Sequence, residues 1–253
     1  MYKPDFFVRP NNKTYDKQLL YQLANMNIRL LALLSIVLVM GLSSCKNNND
    51  APVIKQIDSL NIVNASADTI NFYLNGTRLN TTNILPAGAT GYYQIASGDQ
   101  VYQVKKPFNP ATNVVQTIFS LPLTLDPHHY YSLFIAGETA SQTFITPDVL
   151  MEDDSTGTCL VRFVNASPDA GNLDFVVNGT KIPNQAFKTA SGFVLVAVND
   201  TPVPISVYHA GSTTPIISGT YTLTTGTSFT FFSQGTLTGT GNSAFGLSAF
   251  SFN

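Results

Sequence analysis

The 253-residue chain has no tryptophan, two cysteines and three histidines, and only 11% of its residues are charged. Without tryptophan it lacks the broadest ring for stacking on a sugar or a base. Two cysteines, Cys45 and Cys159, cannot build the multi-bridge framework of a small disulfide-stapled domain. Long apolar runs are missing too. The longest, Leu30 to Leu42, has thirteen residues and covers about 20 Å as a helix, against a hydrocarbon core of about 30 Å. A permanent transmembrane helix is therefore not expected. No Gly-x-Ser-x-Gly, His-Glu-x-x-His, Gly-x-x-x-x-Gly-Lys or Cys-x-x-Cys pattern occurs, so no sequence motif points to a catalytic or cofactor site.

What is present begins with the apolar run itself. Arg29 precedes it and Leu42-Ser43-Ser44-Cys45 closes it, the order of a secretory signal peptide. The closing tetrapeptide resembles the lipobox of bacterial lipoproteins, in which the chain is cut before the cysteine and the thiol carries lipid. The resemblance implies that Cys45 is the lipidation site and the first mature residue. Met26-Asn27-Ile28-Arg29 is a natural start, which makes residues 1–25 an over-extended start or a long n-region and 26–44 the signal peptide. Residues 45–58 then form the lipidated cysteine and a polar tether, led by Lys46-Asn47-Asn48-Asn49-Asp50. The five basic and two acidic residues before Cys45 leave eight Lys/Arg and thirteen Asp/Glu after it, a mature net charge of −5. Such a surface offers no electrostatic footprint for nucleic acid.

The remaining sequence repeats itself. Val63-Asn64-Ala65-Ser66 returns as Val164-Asn165-Ala166-Ser167, and Asn75-Gly76-Thr77 as Asn178-Gly179-Thr180. Tandem domains are expected at 59–147 and 159–253, with an acidic linker at 148–158 that contains Glu152-Asp153-Asp154. Glu, Lys and Arg are scarce while β-branched and aromatic residues abound, in short alternating runs bounded by turn signals. This predicts an all-β chain of two tandem immunoglobulin-like β-sandwiches. Asn75-Gly76 and Asn178-Gly179 are the expected type I′ hairpin turns. A further hairpin is expected from Phe193–Val198 to Val203–Tyr208, with Tyr92–Ile95 and Val101–Lys105 as its first-copy counterpart. The strands are too short for an outer-membrane barrel.

Leu160-Val161-Arg162-Phe163-Val164-Asn165-Ala166-Ser167-Pro168-Asp169-Ala170, followed by Leu173-Asp174-Phe175-Val176-Val177-Asn178-Gly179, resembles the opening of the bacterial domain-of-unknown-function family numbered 4397. The first copy has Ala67 in place of the pattern's proline and lacks the arginine. The resemblance implies an extracytoplasmic β-sandwich, often lipid-anchored and found in Bacteroidota-like bacteria. It supplies no catalytic residue.

Individual residues invite chemistry only weakly. His128-His129 sits at a turn and His209 at a strand end, and no metal site is expected at either. Cys159 reads as a small buried hydrophobe. Three consecutive acids at 152–154 are a solvated spacer sooner than a calcium loop. Asp169 and Asp174 read as turn chemistry, and Asn64 and Asn165 as fasteners of a strand end. Asp58-Ser59-Leu60 and Asp68-Thr69-Ile70 resemble the Bacteroidota O-glycosylation site. The adjacent aromatics Tyr92-Tyr93 and Tyr130-Tyr131 are the candidate ligand contacts, since one ring of each pair must leave its strand's core face. The reading is a non-catalytic cell-envelope lipoprotein of the outer membrane, without cofactor, held on the membrane by lipid at Cys45. It would present two β-sandwiches for adhesion, assembly or envelope structure to an unknown protein partner. The alternative is a surface glycan-binding lipoprotein of a polysaccharide uptake system.

Overall fold

Among the described residues, alternating Val, Ile, Phe, Tyr and Thr pair into sixteen strands, because such side chains pack best on a pleated, half-buried surface. The computed structural model describes Tyr21 and residues 57–149, 157–198 and 201–252. The lipidation segment around Cys45, the tether and the acids 152–154 lie outside the described residues. Repeat one comprises β1 (Ile57–Asn64), β2 (Asn71–Leu74), β3 (Thr77–Arg78), β4 (Ala89–Ala96), β5 (Gly98–Lys105), β6 (Thr117–Leu125), β7 (Tyr130–Ile135) and β8 (Thr143–Asp148). Repeat two comprises β9 (Thr158–Asn165), β10 (Leu173–Val177), β11 (Thr180–Gln185), β12 (Val194–Ala197), β13 (Pro202–His209), β14 (Pro215–Thr222), β15 (Ser228–Gln234) and β16 (Gly246–Phe252).

Each repeat is a sandwich of two four-stranded sheets. The inner sheets have the order β4-β1-β7-β8 and β12-β9-β15-β16; the outer sheets are β3-β2-β5-β6 and β11-β10-β13-β14. The orders match strand for strand, as expected of tandem copies. β1 lies parallel to β7 and β9 parallel to β15, while the other pairings are antiparallel. Asn75 and Gly76 have φ of 48° and 86°, and Asn178 and Gly179 have 45° and 79°, the left-handed pair that a type I′ turn needs.

The other expected hairpin is not formed. β12 pairs with β9 and β13 with β10 and β14, so the chain leaves one sheet and enters the facing one between them. β4 and β5 do the same, with Gly98 at φ +88° turning the corner. Two alternating runs joined by a short loop look alike whether the loop closes a hairpin or crosses a sandwich. The strands also overrun the expected boundaries slightly, β1 starting at Ile57 and β8 reaching Asp148.

Three apolar clusters stack between the four sheets. Leu60, Ile62, Ile70, Phe72, Val104, Leu133 and Ile135 fill repeat one, and Cys159, Phe163, Phe175, Val207 and Phe231 belong to the core of repeat two. The third cluster joins the repeats: Val63, Ala65, Phe134 and Ala136 meet Val164, Ala166 and Phe232. β1 and β9 are consequently buried on both faces, which explains why Ile57–Asn64 and Thr158–Asn165 read as nearly continuous buried strands. Among the described residues no helix is long and apolar enough to cross a membrane.

Asp174 shows how a sandwich edge is fastened. It lies in β10 and is buried, not in a turn as its sequence neighbours suggest. Its carboxylate accepts from the backbone N–H of Asn184 at 2.7 Å and of Gly211 at 3.0 Å, and pairs with Lys181 at 2.8 Å. Burial alone would raise this carboxyl, but the Lys181 pair and the two backbone donors outweigh it and hold it below the ordinary carboxylate value. A depressed folded pKa contributes stability above the unfolded carboxylate value of about 4, lost as pH falls through the folded one. Asp174→Asn should therefore cost stability at pH 7, and its deficit should shrink below about pH 4, as urea unfolding across pH would record.

Candidate functional site at the seam between the repeats

The face where the inner sheets meet is built from equivalent positions. Asn61 and Ser132 are register partners in repeat one; Arg162 and Thr230 are their counterparts in repeat two. The apolar half of the seam is a run of rings. Phe134 lies 5.2 Å from Phe144, 5.9 Å from Phe232 and 6.4 Å from Phe250, and Phe144 meets Phe187 at 6.1 Å.

The polar half centres on Arg162, only 3% exposed. Its Nη2 reaches the Asp148 carboxylate at 2.5 Å, Nη1 donates to the Pro147 carbonyl at 3.1 Å, and Nε to Thr230 Oγ1 at 2.8 Å. The Phe193 ring covers the guanidinium at 5.2 Å. Asp148 also accepts from the Tyr92 hydroxyl at 2.8 Å and from Ser132 at 2.6 Å, and Ser132 in turn accepts from Asn61 at 3.1 Å. Burial, followed by the Asp148 charge that its hydroxyl serves, pushes Tyr92 far above the ordinary phenol value. A buried ion pair this well supplied with donors is a fixed joint, and neither partner is free to act on a substrate.

Beside the repeated Val-Asn-Ala-Ser segments the seam opens into a cleft of about 440 Å³, lined by both repeats. Small residues such as Ala65, Gly137 and Gly235 line it together with Ser66, Glu138 and Thr236. Lys106 bridges Asp68 at 3.0 Å and Glu138 at 3.7 Å. The hydrogen bond to Asp68 raises the Lys106 pKa, so its amine stays charged and cannot serve as a base near neutrality.

The four candidate tyrosines do not converge. Tyr93 and Tyr131 pack on the core of repeat one, and Tyr92 is committed to Asp148. Tyr130 stays exposed, its ring edge-on to Tyr92 at 5.2 Å. Asn64 and Asn165 fasten loops: Asn64 Nδ2 donates to the carbonyls of Asp68 and Ile84, and Asn165 Nδ2 to those of Gly171 and Gln185. Asp169 lies in the turn after Pro168, accepts from the Ser167 hydroxyl at 3.4 Å and also from the Leu237 backbone N–H at 3.0 Å, which ties its loop to the one after β15. His129 and His209 contact the carbonyls of Pro127 and Ala170. Among the described residues no three His, Cys, Asp or Glu side chains gather to hold a metal. Cys159 is fully buried, and Ser59 of the first glycosylation-like triplet is buried within β1. Asp148 gives no sign of this role in the sequence, where it opens the acidic linker. A hint lies in Arg162, the one charge in the alternating Cys159–Val164 run.

A family profile described as a domain of unknown function, DUF4397, matches residues 59–176 and again 159–250. The chain belongs to that family. Its two DUF4397 copies coincide with the two structural repeats, the first match running on through β9 into β10. Comparison with curated proteins finds no match. Among solved structures the N-terminal domain of AlgF from P. aeruginosa is similar at 20% identity, over 38% of this chain and 96% of that one, with a TM-score of 0.27. Arg162 of the second copy stands where the first copy has Asn61, and it holds the first copy's Asp148.

Proposed function

We propose that this DUF4397 chain is a non-catalytic cell-envelope lipoprotein, anchored through lipid on Cys45, whose two sandwiches act as one rigid presenting body for adhesion or assembly. The observation that carries the reading is the seam. Equivalent faces of the repeats are spent on each other through Phe134, Phe232 and the Arg162–Asp148 pair, which fixes the spacing of everything the outer sheets and loops display. A rigid body on a tether suits presentation to a partner, because little order has to be created on contact. Glycan capture is less well supported, since Tyr130 is the one candidate tyrosine left exposed.

The anchor follows from Leu42-Ser43-Ser44-Cys45. Eleven residues, 46–56, separate Cys45 from Ile57, a reach of at most about 40 Å. At about 0.8 kcal/mol per buried CH₂, two or more acyl chains make attachment effectively permanent. Cys45→Ala should abolish the membrane-bound mature form, read by fractionation of cells, and protease shaving of intact cells should report whether the repeats face outward. A variant that stays with the membrane pellet, unchanged in mass from wild type, would sink the anchor.

A further inference from the structure

The two ends of repeat one differ in what they present. β1 enters at Ile57, where the tether joins it, and finishes at Asn64 about 26 Å away. β4 runs back beside it, from Ala89 opposite Val63 to Ala96 opposite Ile57. β5 then climbs from Gly98 to Lys105, which pairs with Asn71, so the loop 106–116 between β5 and β6 stands at the Asn64 end. Lys106 bears this out by bridging Asp68, just past β1, and Glu138, just past β7.

That loop is apolar where it meets water. Phe108 is 56%, Val114 54% and Val115 39% exposed, and a bridge between Asn109 and Val114 holds the two arms of the loop together. The corresponding loop of repeat two, between β13 and β14, is Ala210-Gly211-Ser212-Thr213-Thr214, with no large apolar side chain. The fold therefore closes without the three apolar groups, and together on one loop they make a contact surface rather than a solvated turn. The cleft of about 440 Å³ lies at the same end: Asp68 and Glu138, the two partners of Lys106, both line it, beside small residues such as Ala67 and Gly137.

We infer that the Asn64 end is a self-association surface, at which the Phe108 loop of each copy seats in the seam cleft of a second copy. An apolar projection and a recess on one surface are what a closed two-fold contact needs, since each copy gives a loop and receives one. The tether 46–56 favours a second copy over the chain's own bilayer, because it joins the body at Ile57, the end opposite the loop. Two copies joined by their Asn64 ends carry their tethers at opposite extremes and so bridge facing membranes. The bridging rests on the lipid anchor and the adhesive role proposed above; the contact itself does not.

The test uses the mature chain from Cys45, made without lipid and coupled through that thiol to vesicles carrying a maleimide lipid; Cys159 is fully buried and does not compete. Coupled vesicles should cluster, read as turbidity, and the free chain under reductant should show a concentration-dependent dimer in sedimentation. Phe108→Ser with Val114→Ser should weaken dimerisation about tenfold or more at an unchanged thermal midpoint, since both side chains are exposed. Ala67→Tyr, which fills the cleft, should also disperse the vesicles. Mixed together, the loop variant and the cleft variant should recover part of the clustering, because each mixed pair keeps one intact loop and one intact cleft. A chain that stays monomeric, clustering undiminished in the loop variant, or a mixture as inert as its components would each overturn the contact. Binding of the free chain to protein-free vesicles, lost in the loop variant, would overturn it in favour of a bilayer. Coupled vesicles that cluster although the chain carries no lipid in cells would remove the anchor and leave the contact standing.

Discussion

Asp148→Ala is expected to destabilise the protein by about 3–5 kcal/mol, the usual cost of stripping one partner from a buried ion pair. Four donors lose their acceptor at once: the Arg162 guanidinium and the hydroxyls of Tyr92, Ser132 and Thr146. Arg162 cannot turn to water to recover hydration, because Phe193 covers it and its other nitrogens stay bound to Pro147 and Thr230. For a unit of this size the loss corresponds to a midpoint drop of roughly 10 °C or more. Replacing both partners by apolar residues, as in Asp148→Leu with Arg162→Met, should recover much of it, since no uncompensated charge then remains. Urea unfolding of the two single variants and the double variant measures this directly. A cost below about 1 kcal/mol for Asp148→Ala would mean that the joint is open to water.

The joint is lopsided in a way that duplication explains. Arg162 of β9 holds the place that Asn61 holds in β1. On the other side, Ser228 is the counterpart of Tyr130. It pairs with Phe252 in β16, whereas Tyr130 pairs with Asp148 in β8. One copy thus supplies the cation and the other the anion. The two copies have diverged so that each is complementary to the other rather than to itself, which favours the covalent pair over pairing between like repeats.

How much of this was legible in the chain differs by level. The all-β class, the two repeats and both Asn-Gly turns follow from local chemistry, because alternation and positive φ are properties of a few neighbouring residues. The crossing from β4 to β5 was not legible, since nothing within that stretch says which distant strand each half will meet. The seam was hidden for a related reason. Val63 and Val164 alternate with Ile62 and Phe163, and a continuous apolar run does not reveal that its second face meets another domain. The tyrosine pairs were legible only halfway: alternation required one ring of each to leave the core, but not that Tyr92 would meet Asp148 there.

Phe134→Ala tests the apolar half of the seam and should also cost about 3–5 kcal/mol, the range for emptying a buried phenylalanine site. Phe134 is fully buried and touches rings from both sides, Phe144 in its own repeat and Phe232 and Phe250 in the other. A cavity there removes contacts that stabilise the association of the sandwiches, while the separate cores around Phe72 and Phe175 remain intact. Two folded units with a weakened interface unfold less cooperatively. Wild type should therefore melt in one calorimetric transition, and Phe134→Ala in a broadened or double one. Phe175→Ala, which lies inside repeat two, is the control: it should lower the stability of that repeat by a similar amount without acting first on the seam. If Phe134→Ala lowers the midpoint but the calorimetric and van't Hoff enthalpies still agree, the Arg162–Asp148 joint alone suffices to couple the repeats. The double variant Phe134→Ala, Asp148→Ala would then be the one to separate them.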